Sequence, residues 1–266
     1  MSAGTLLLTT LLLPLAGAAG IIITRHTPDV REGVTLLTST LVAICVVMIS
    51  ARFLDGEIFA FTLMEPLPGI AIAFEIEALG MLFALVAGLL WVVTSIYSIG
   101  YMRGHNEQNQ TRFFAAFAVS ISATMGIAFA ANLFTLFLFY ELLTLATYPL
   151  VTHAGTPEAK RGGRTYLGIL LGTSIGLFLL GILITWSLTG RIDFQAGGIL
   201  AGHIDPAWAG LLYALFLFGI GKAAVMPFHR WLPAAMVAPT PVSALLHAVA
   251  VVKAGVFTLL KVTIYI

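Results

Sequence analysis

The chain contains one cysteine in 266 residues, and Lys, Arg, Asp and Glu together make up only 9% of it. Cys45 lies inside an apolar stretch, so neither a disulfide framework nor a thiolate metal site is available within this chain. Soluble domains carry about 25% charged residues. With 59% hydrophobic residues and a mean hydropathy of +1.02, this composition excludes an ordinary water-soluble globule and specifies an integral membrane protein. Net charge is +1 with no basic tail and no acidic tract, which removes nucleic acid as a partner. The sequence also lacks a C-x-x-C pair, a metal-spaced histidine cluster, a G-x-G-x-x-G turn and a nucleophile elbow. No metal, cofactor or redox centre is therefore expected in this chain. Finally, Met1 to Gly20 ends in small residues like a cleavage site but lacks the positive n-region of a secretory signal, so it reads as a first membrane helix, with a cleaved signal as the alternative.

Long hydrophobic runs, in contrast, are abundant. Windows of about 20 apolar residues place spans near 4–24, 34–53, 76–100, 113–131, 133–152, 165–189, 207–237 and 240–262, an all-α polytopic bundle of about eight transmembrane helices. Between the second and third spans, Asp55 to Phe74 is broken at Pro66, Pro68 and Gly69 and reads as an external hairpin or loop. One set of alternate loops collects Arg25, Arg31, Arg103, Arg112, Lys160, Arg161, Arg164 and Arg230, whereas the other has Arg52, Arg191 and, near the C-terminus, Lys261. The positive-inside bias makes the first set cytoplasmic and puts the N-terminus outside. In the sixth span, Gly168, Gly172 and Gly176 form a stripe at which another helix is expected to approach closely.

The seventh span is expected to be discontinuous, because Gly219 and Gly221 lead into Lys222, and Pro227 and Pro233 interrupt the residues after it. Broken backbone at membrane depth occurs only where it is buried in protein or lines an aqueous cavity. Lys222 is not alone there. Glu141 sits within the fifth span and Lys253 within the eighth, and a charge at the bilayer centre costs at least about 2.5–3.5 kcal/mol. Such groups imply a hydrated or paired interior route for protons or cations. A low dielectric loosens an ammonium's hold on its proton and a neighbouring carboxylate restores it, so Glu141 and Lys222 form a candidate coupled pair. A static buried ion pair is the competing reading, and it gains little stability for its desolvation cost. Thr144 and Tyr148 share a helical face with Glu141 and are accessory candidates, with interhelical hydrogen bonding as the alternative. His247 precedes Lys253 by six residues, about 9 Å of helical rise, so one or two waters would have to bridge them. An imidazole suits such a relay. His229 is either an entry group or, with Arg230, an interfacial anchor. His105, His153 and His203 read as loop residues, and Glu75 and Glu77 as solvated or partner-facing charges. A phosphate-binding loop fails at once, since Gly221-Lys222 is followed by Ala223 and position 216 is Phe.

The segment from Phe218 to His247 is the most specific stretch. It carries Lys222 before Pro227-Phe228-His229, then Trp231-Leu232-Pro233, Met236, Pro239 to Ala244 and His247. This pattern resembles the signature of the antiporter-like membrane subunits shared by respiratory complex I, Mrp-type multisubunit cation/proton antiporters and membrane-bound hydrogenases. Tyr140-Glu141-Leu142 is similar to the family's glutamate-bearing fifth helix. Ala234 and Val237-Ala238 stand where complex I members usually carry acidic residues, which is closer to the Mrp and hydrogenase branch. Family members have about fourteen helices in two inverted repeats, so this chain corresponds to the first half: a fragment, a split subunit or a half-length paralogue.

The resemblance implies three N-terminal helices with the hairpin over residues 1–112 and a five-helix transport repeat over 113–266. It implies a proton route through Glu141, Lys222, His247 and Lys253, coupled in an Mrp-type complex to Na+. The expected partners are homologous antiporter-like and small membrane subunits in the lipid bilayer of a bacterial or archaeal inner membrane, with no cofactor bound here. Two alternatives stay open. One is a proton-pumping membrane subunit of an NADH:quinone oxidoreductase or membrane-bound hydrogenase, without a redox centre of its own. The other is a non-conducting scaffold or inorganic-carbon uptake subunit.

Overall fold

The computed structural model describes residues 2–266. Its helices are α1 (Ala3–Ile23), α2 (Pro28–Leu54), α3 (Ala78–Gly104), α4 (Gln110–Ala128), α5 (Leu133–Val151), α6 (Pro157–Thr189), α7 (Pro206–Gly219) and α8 (Thr240–Tyr265). Seven of these are long and apolar enough to cross a membrane, and α7 is the exception. The chain is an integral multi-pass membrane protein. Local chemistry sets the helix starts. Asn132 Oδ1 accepts from Thr135 N at 2.8 Å, Thr156 Oγ1 accepts from Ala159 N at 3.1 Å, and Pro28 and Pro157 occupy first-turn positions where a missing N–H costs nothing. α4 is central, with its faces covered by α1, α3 and α5, which is why most of its side chains are buried.

The expected external hairpin is a true β-hairpin, β1 (Ala60–Leu67) against β2 (Ile70–Glu75), antiparallel with Ala60 opposite Glu75. Gly69 closes the turn at φ +79°, a left-handed conformation that a side chain disfavours. The hairpin is anchored to the α4–α5 turn and that turn to the loop after α6. Ala131 N donates to Ala73 O at 3.0 Å, Asn132 Nδ2 to Ala71 O at 2.8 Å and Leu133 N to Ile192 O at 3.0 Å. On the opposite face, Arg31 donates to Gln110 at 2.7 Å and to Thr111, while Arg103 bridges Asp29 and Glu32. The molecule therefore has a hairpin face and an arginine face, and the alternate loops sort onto them as their charges suggest.

Among the described residues, the expected glycine stripe meets no helix of this chain. Gly168, Gly172 and Gly176 are exposed, and a Cβ on any of them would touch nothing within 4 Å. Close approaches are made elsewhere, on α6 itself by Gly162 and Gly163, and around the broken span by Gly219, Gly221 and Gly255. A Cβ at Gly219 would overlap the backbone of Phe178, one at Gly221 the Thr173 hydroxyl, and one at Gly255 the backbone of Lys222 and Ala223. Four-residue spacing identifies a stripe, but not whether a neighbour lies on that side. The expected discontinuity of the seventh span is present. α7 has 14 residues, roughly 21 Å at 1.5 Å per residue, against a hydrocarbon core of about 30 Å. Beyond Gly219 the backbone passes through short 3₁₀ turns at Gly221–Ala223, Phe228–Arg230 and Ala235–Val237 and one α turn at Trp231–Ala234, so the discontinuity begins at the lysine itself.

Candidate functional site

Lys222 lies at the point where α7 ends, near the middle of α5, and its side chain is fully buried. Its Nζ donates to Tyr140 O at 2.8 Å and to Thr144 Oγ1 at 2.6 Å, and stands 3.2 Å from the centre of the Tyr140 ring. The main chain is pinned as well. Lys222 N donates to Tyr140 Oη at 3.0 Å, and Trp231 Nε1 donates to Gly221 O at 2.8 Å. Tyr166 packs edge-on against Trp231 and shares a 2.6 Å hydrogen bond with Thr147. An uncompensated ammonium here would be costly. Two oxygen acceptors and an aromatic face make the position tolerable while leaving it without an ion-pair partner in contact.

Glu141 occupies the next position on α5 after Tyr140. Both carboxylate oxygens are buried and make no hydrogen bond among the described residues. Glu141 is within electrostatic range of Lys222, but no ion pair within 4.0 Å joins them among the described residues. The expected pair is thus a separated one, with Thr144 holding the ammonium in contact. Across from α5, α6 opens into a π turn at Ser174–Phe178, and Ser174 is close enough to interact with Glu141, although its hydroxyl donates to Leu170 O at 2.7 Å. A second π turn, Leu245–Val249, carries His247. Single π turns inside α-helices recur at functional sites.

The remaining sequence candidates are distributed differently. His247 is partly buried with Nε2 shielded and unpartnered. Lys253 is exposed on the outer face of α8, beyond an irregular residue, Ala250, at φ −125° and ψ −71°. Tyr148 is partly buried and packs near Gly163 on α6, away from the Lys222 Nζ contacts. His229 and Arg230 are exposed on the arginine face. The structure therefore gathers Thr144, Lys222 and, at longer range, Glu141. It leaves His229, Tyr148 and Lys253 outside that contact set.

Sequence reasoning misses several residues. Tyr140 supplies three of the contacts around Lys222, and the one signal for it is an aromatic immediately preceding the membrane carboxylate. Lys261 reads from sequence as a charge near the C-terminus and Glu77 as a solvated residue; they instead form an ion pair at 2.8 Å with Lys261 buried. His153 reads as a loop residue, but its ring is buried. Lys261, Glu77 and His153 lie at or near helix ends, where a span boundary read from hydropathy is least informative.

With the geometry established, comparison with known proteins places the chain. Residues 130–266 match the family model described as NADH:quinone oxidoreductase/Mrp antiporter, TM, and residues 68–114 match the NADH-ubiquinone oxidoreductase (complex I) chain 5 N-terminus. A probable K(+)/H(+) antiporter subunit of Rhizobium meliloti is 28% identical over 94% of this chain and 25% of its own length. A putative antiporter subunit mnhA2 of Staphylococcus haemolyticus is 31% identical over 79% of this chain and 26% of its own. The NAD(P)H-quinone oxidoreductase chain 5 of Picosynechococcus is 28% identical, over 83% and 34%. Among solved structures, the Mrp complex of Dietzia sp. superimposes with a TM-score of 0.82 at 21% identity, covering 98% of this chain and 49% of that one. An archaeal membrane-bound sulfane sulfur reductase gives 0.81 at 21%, covering 96% and 40%. The chain spans about a quarter to a third of the curated relatives it matches and less than half of the solved ones. The match over residues 130–266 covers the broken helix, the buried lysine and the carboxylate beside it, and this chain belongs to the NADH:quinone oxidoreductase/Mrp antiporter family of membrane subunits.

Proposed function

We propose that this chain is a proton-conducting, antiporter-like subunit of a multisubunit membrane complex, exchanging protons for Na+ in the manner of the Mrp branch. The observation that carries the reading is Lys222: an ammonium at a helix break in mid-membrane, held by Tyr140 O and Thr144 Oγ1, with the unpartnered Glu141 carboxylate nearby but out of contact. A lysine meant only for stability would be paired directly, or replaced by an apolar side chain at little cost. In this reading Lys222 holds and releases the proton, and Glu141 sets how firmly it is held. His247 and Lys253 pass the proton along α8 towards a homologous partner subunit or second repeat covering the outer face. Residues 113–266 are the transport repeat and 1–112 the flanking helices, in a cell inner membrane with the N-terminus outside.

A second reading, a proton-pumping subunit of an NADH:quinone oxidoreductase, is favoured by the match of residues 68–114 to a complex I chain 5 segment. Against it stand Ala234 and Val237-Ala238 in place of acidic residues. The test uses the complex purified with its natural partners and reconstituted into vesicles. Lys222→Ala is expected to lower Na+-driven proton exchange more than tenfold with assembly unchanged. Unchanged exchange would leave a scaffold role. Proton movement that requires an electron donor would favour the oxidoreductase.

A further inference from the structure

Lys261 repeats the chemistry of Lys222 at the hairpin end of the same bundle. Its Nζ donates to a backbone carbonyl, Ala130 O, at 2.6 Å and stands 4.2 Å from the centre of the Phe194 ring. Its carboxylate partner, Glu77 Oε1, is in direct contact at 2.8 Å. The lysine side chain is 2% exposed and the glutamate 21%, so the pair straddles the boundary between protein interior and water. On the water side lies a pocket of about 250 Å³ at the hairpin face, into which Glu75, Glu77, Lys261 and Tyr265 project. Those are the titratable groups that face the pair: Glu77 and Glu75 from the β2–α3 junction and Tyr265 from the last turn of α8. Lys261 also lies on the helix that carries His247 and Lys253, eight residues or about 12 Å of rise beyond the latter.

We propose that Lys261 and Glu77 form a second proton-exchange site, the station through which the route along α8 communicates with water on the hairpin face. The step is a simple transfer. The Lys261 N–H bond breaks as a Glu77 O–H bond forms, leaving a neutral amine beside a neutral acid. The acid then gives its proton to water in the pocket, and the amine is reprotonated from the interior; transport in the other direction reverses the order. A purely structural pair would gain little here, since ion pairs removed from water recover little more than their desolvation cost. The oxygen that meets Lys261 is buried, and the 21% exposure of the Glu77 side chain as a whole gives the acid the solvent contact that a terminal donor needs.

This inference rests on Lys222 being the interior proton carrier, and the experiment separates the two. In the reconstituted complex, Lys261→Arg keeps the cation and its contact with Glu77, but a guanidinium does not release its proton. Exchange is expected to fall at least tenfold in Lys261→Arg with assembly intact. Wild-type exchange in that variant would overturn the proposal and leave a structural ion pair. If Lys261→Arg does not assemble, Glu77→Gln decides. It is expected to change the dependence of exchange on the pH of the hairpin-face compartment and not of the opposite one, and an unchanged profile on both sides would overturn the proposal. Full exchange in Lys222→Ala would instead refute the underlying reading, whatever Lys261 does.

Discussion

At the scale of single residues, the contacts around Lys222 divide between its side chain and its main chain. Tyr140 Oη serves only the Lys222 backbone N–H, whereas Thr144 Oγ1 serves the ammonium. Tyr140→Phe keeps the ring face and the Tyr140 carbonyl in place and leaves the buried Lys222 N–H without its acceptor, at a cost of about 1–3 kcal/mol. It is expected to lower the thermal unfolding midpoint and leave exchange within about twofold. Thr144→Val removes one of the two acceptors of a buried cation, a charge-assisted bond worth about 1.5–3 kcal/mol. Exchange in vesicles is expected to fall about tenfold, with normal assembly. Equal effects from the two variants would show that the hydroxyl of Thr144 has no special part. His153 offers a residue-scale prediction outside the spans. Burial first, and then the nearby Arg112 guanidinium, hold its imidazole below the usual value of 6.5, while Glu107 at 3.8 Å partly offsets them. The unfolded chain therefore binds a proton that the folded one resists, so stability is full above pH 6.5 and is lost as pH falls through the lower folded value. In detergent, the unfolding midpoint of wild type is expected to drop between pH 7.5 and 5.5 by more than that of His153→Leu.

At the scale of elements, the glycines distinguish what spacing reveals from what only packing reveals. Gly255 lets α8 lie against the backbone of Lys222 and Ala223, so Gly255→Ala forces the helix away from the break. Overpacking of this kind costs about 1–3 kcal/mol. Gly172→Ala, on the exposed side of α6, is expected to cost nothing measurable. A thermal-shift comparison of the two in the assembled complex checks the assignment, and a larger loss in Gly172→Ala would reverse it. The helices are legible in the sequence because long apolar runs have one structural solution in lipid. The break is legible because Pro227 and Pro233 come so soon after Lys222. The β-hairpin is legible as a hairpin through Pro68-Gly69. The π turns at 174–178 and 245–249 are not, since no residue type marks an extra residue in a helical turn. Nor is the burial of Lys261 legible: a lysine near a helix end ordinarily reaches the interface, and only the docking of the α4–α5 turn beneath it supplies the Ala130 carbonyl and removes the solvent. The Glu141 and Lys222 positions are readable from the energetic penalty of charge in hydrocarbon, but their separation is not, because residue spacing carries no information on which rotamer each side chain adopts.

At the scale of the whole molecule, the burial of Lys261 sharpens the orientation argument. A buried, ion-paired side chain is no longer a loop charge; setting aside Lys261 on one face and Arg31 on the other leaves Arg52 and Arg191 on the hairpin face against seven basic residues on the arginine face. Arg52 is itself opposed by Glu57 at 3.7 Å. In the orientation proposed from the positive-inside bias, the hairpin, the α4–α5 turn and the Glu77–Lys261 pocket face outside. Because residues of the hairpin bond directly to the α4–α5 turn, all of these share one side, and a single labelling experiment orients the whole bundle. Replacing Cys45 by Ala removes the one cysteine of these 266 residues, so that one reporter can be placed in them at a time. A cysteine at Pro68, in the hairpin turn, is expected to react with a membrane-impermeant maleimide in intact cells. One at Gln108, in the α3–α4 loop of the arginine face, is expected to react only after permeabilisation. The reverse pattern would invert the topology and move the Lys261 pocket to the cytoplasmic side, turning the proposed outer station into an inner one. Labelling of both sites in intact cells would mean that the two faces are not separated by the bilayer at all, which the apolar belt formed by the outward faces of α1, α2, α3 and α6 forbids.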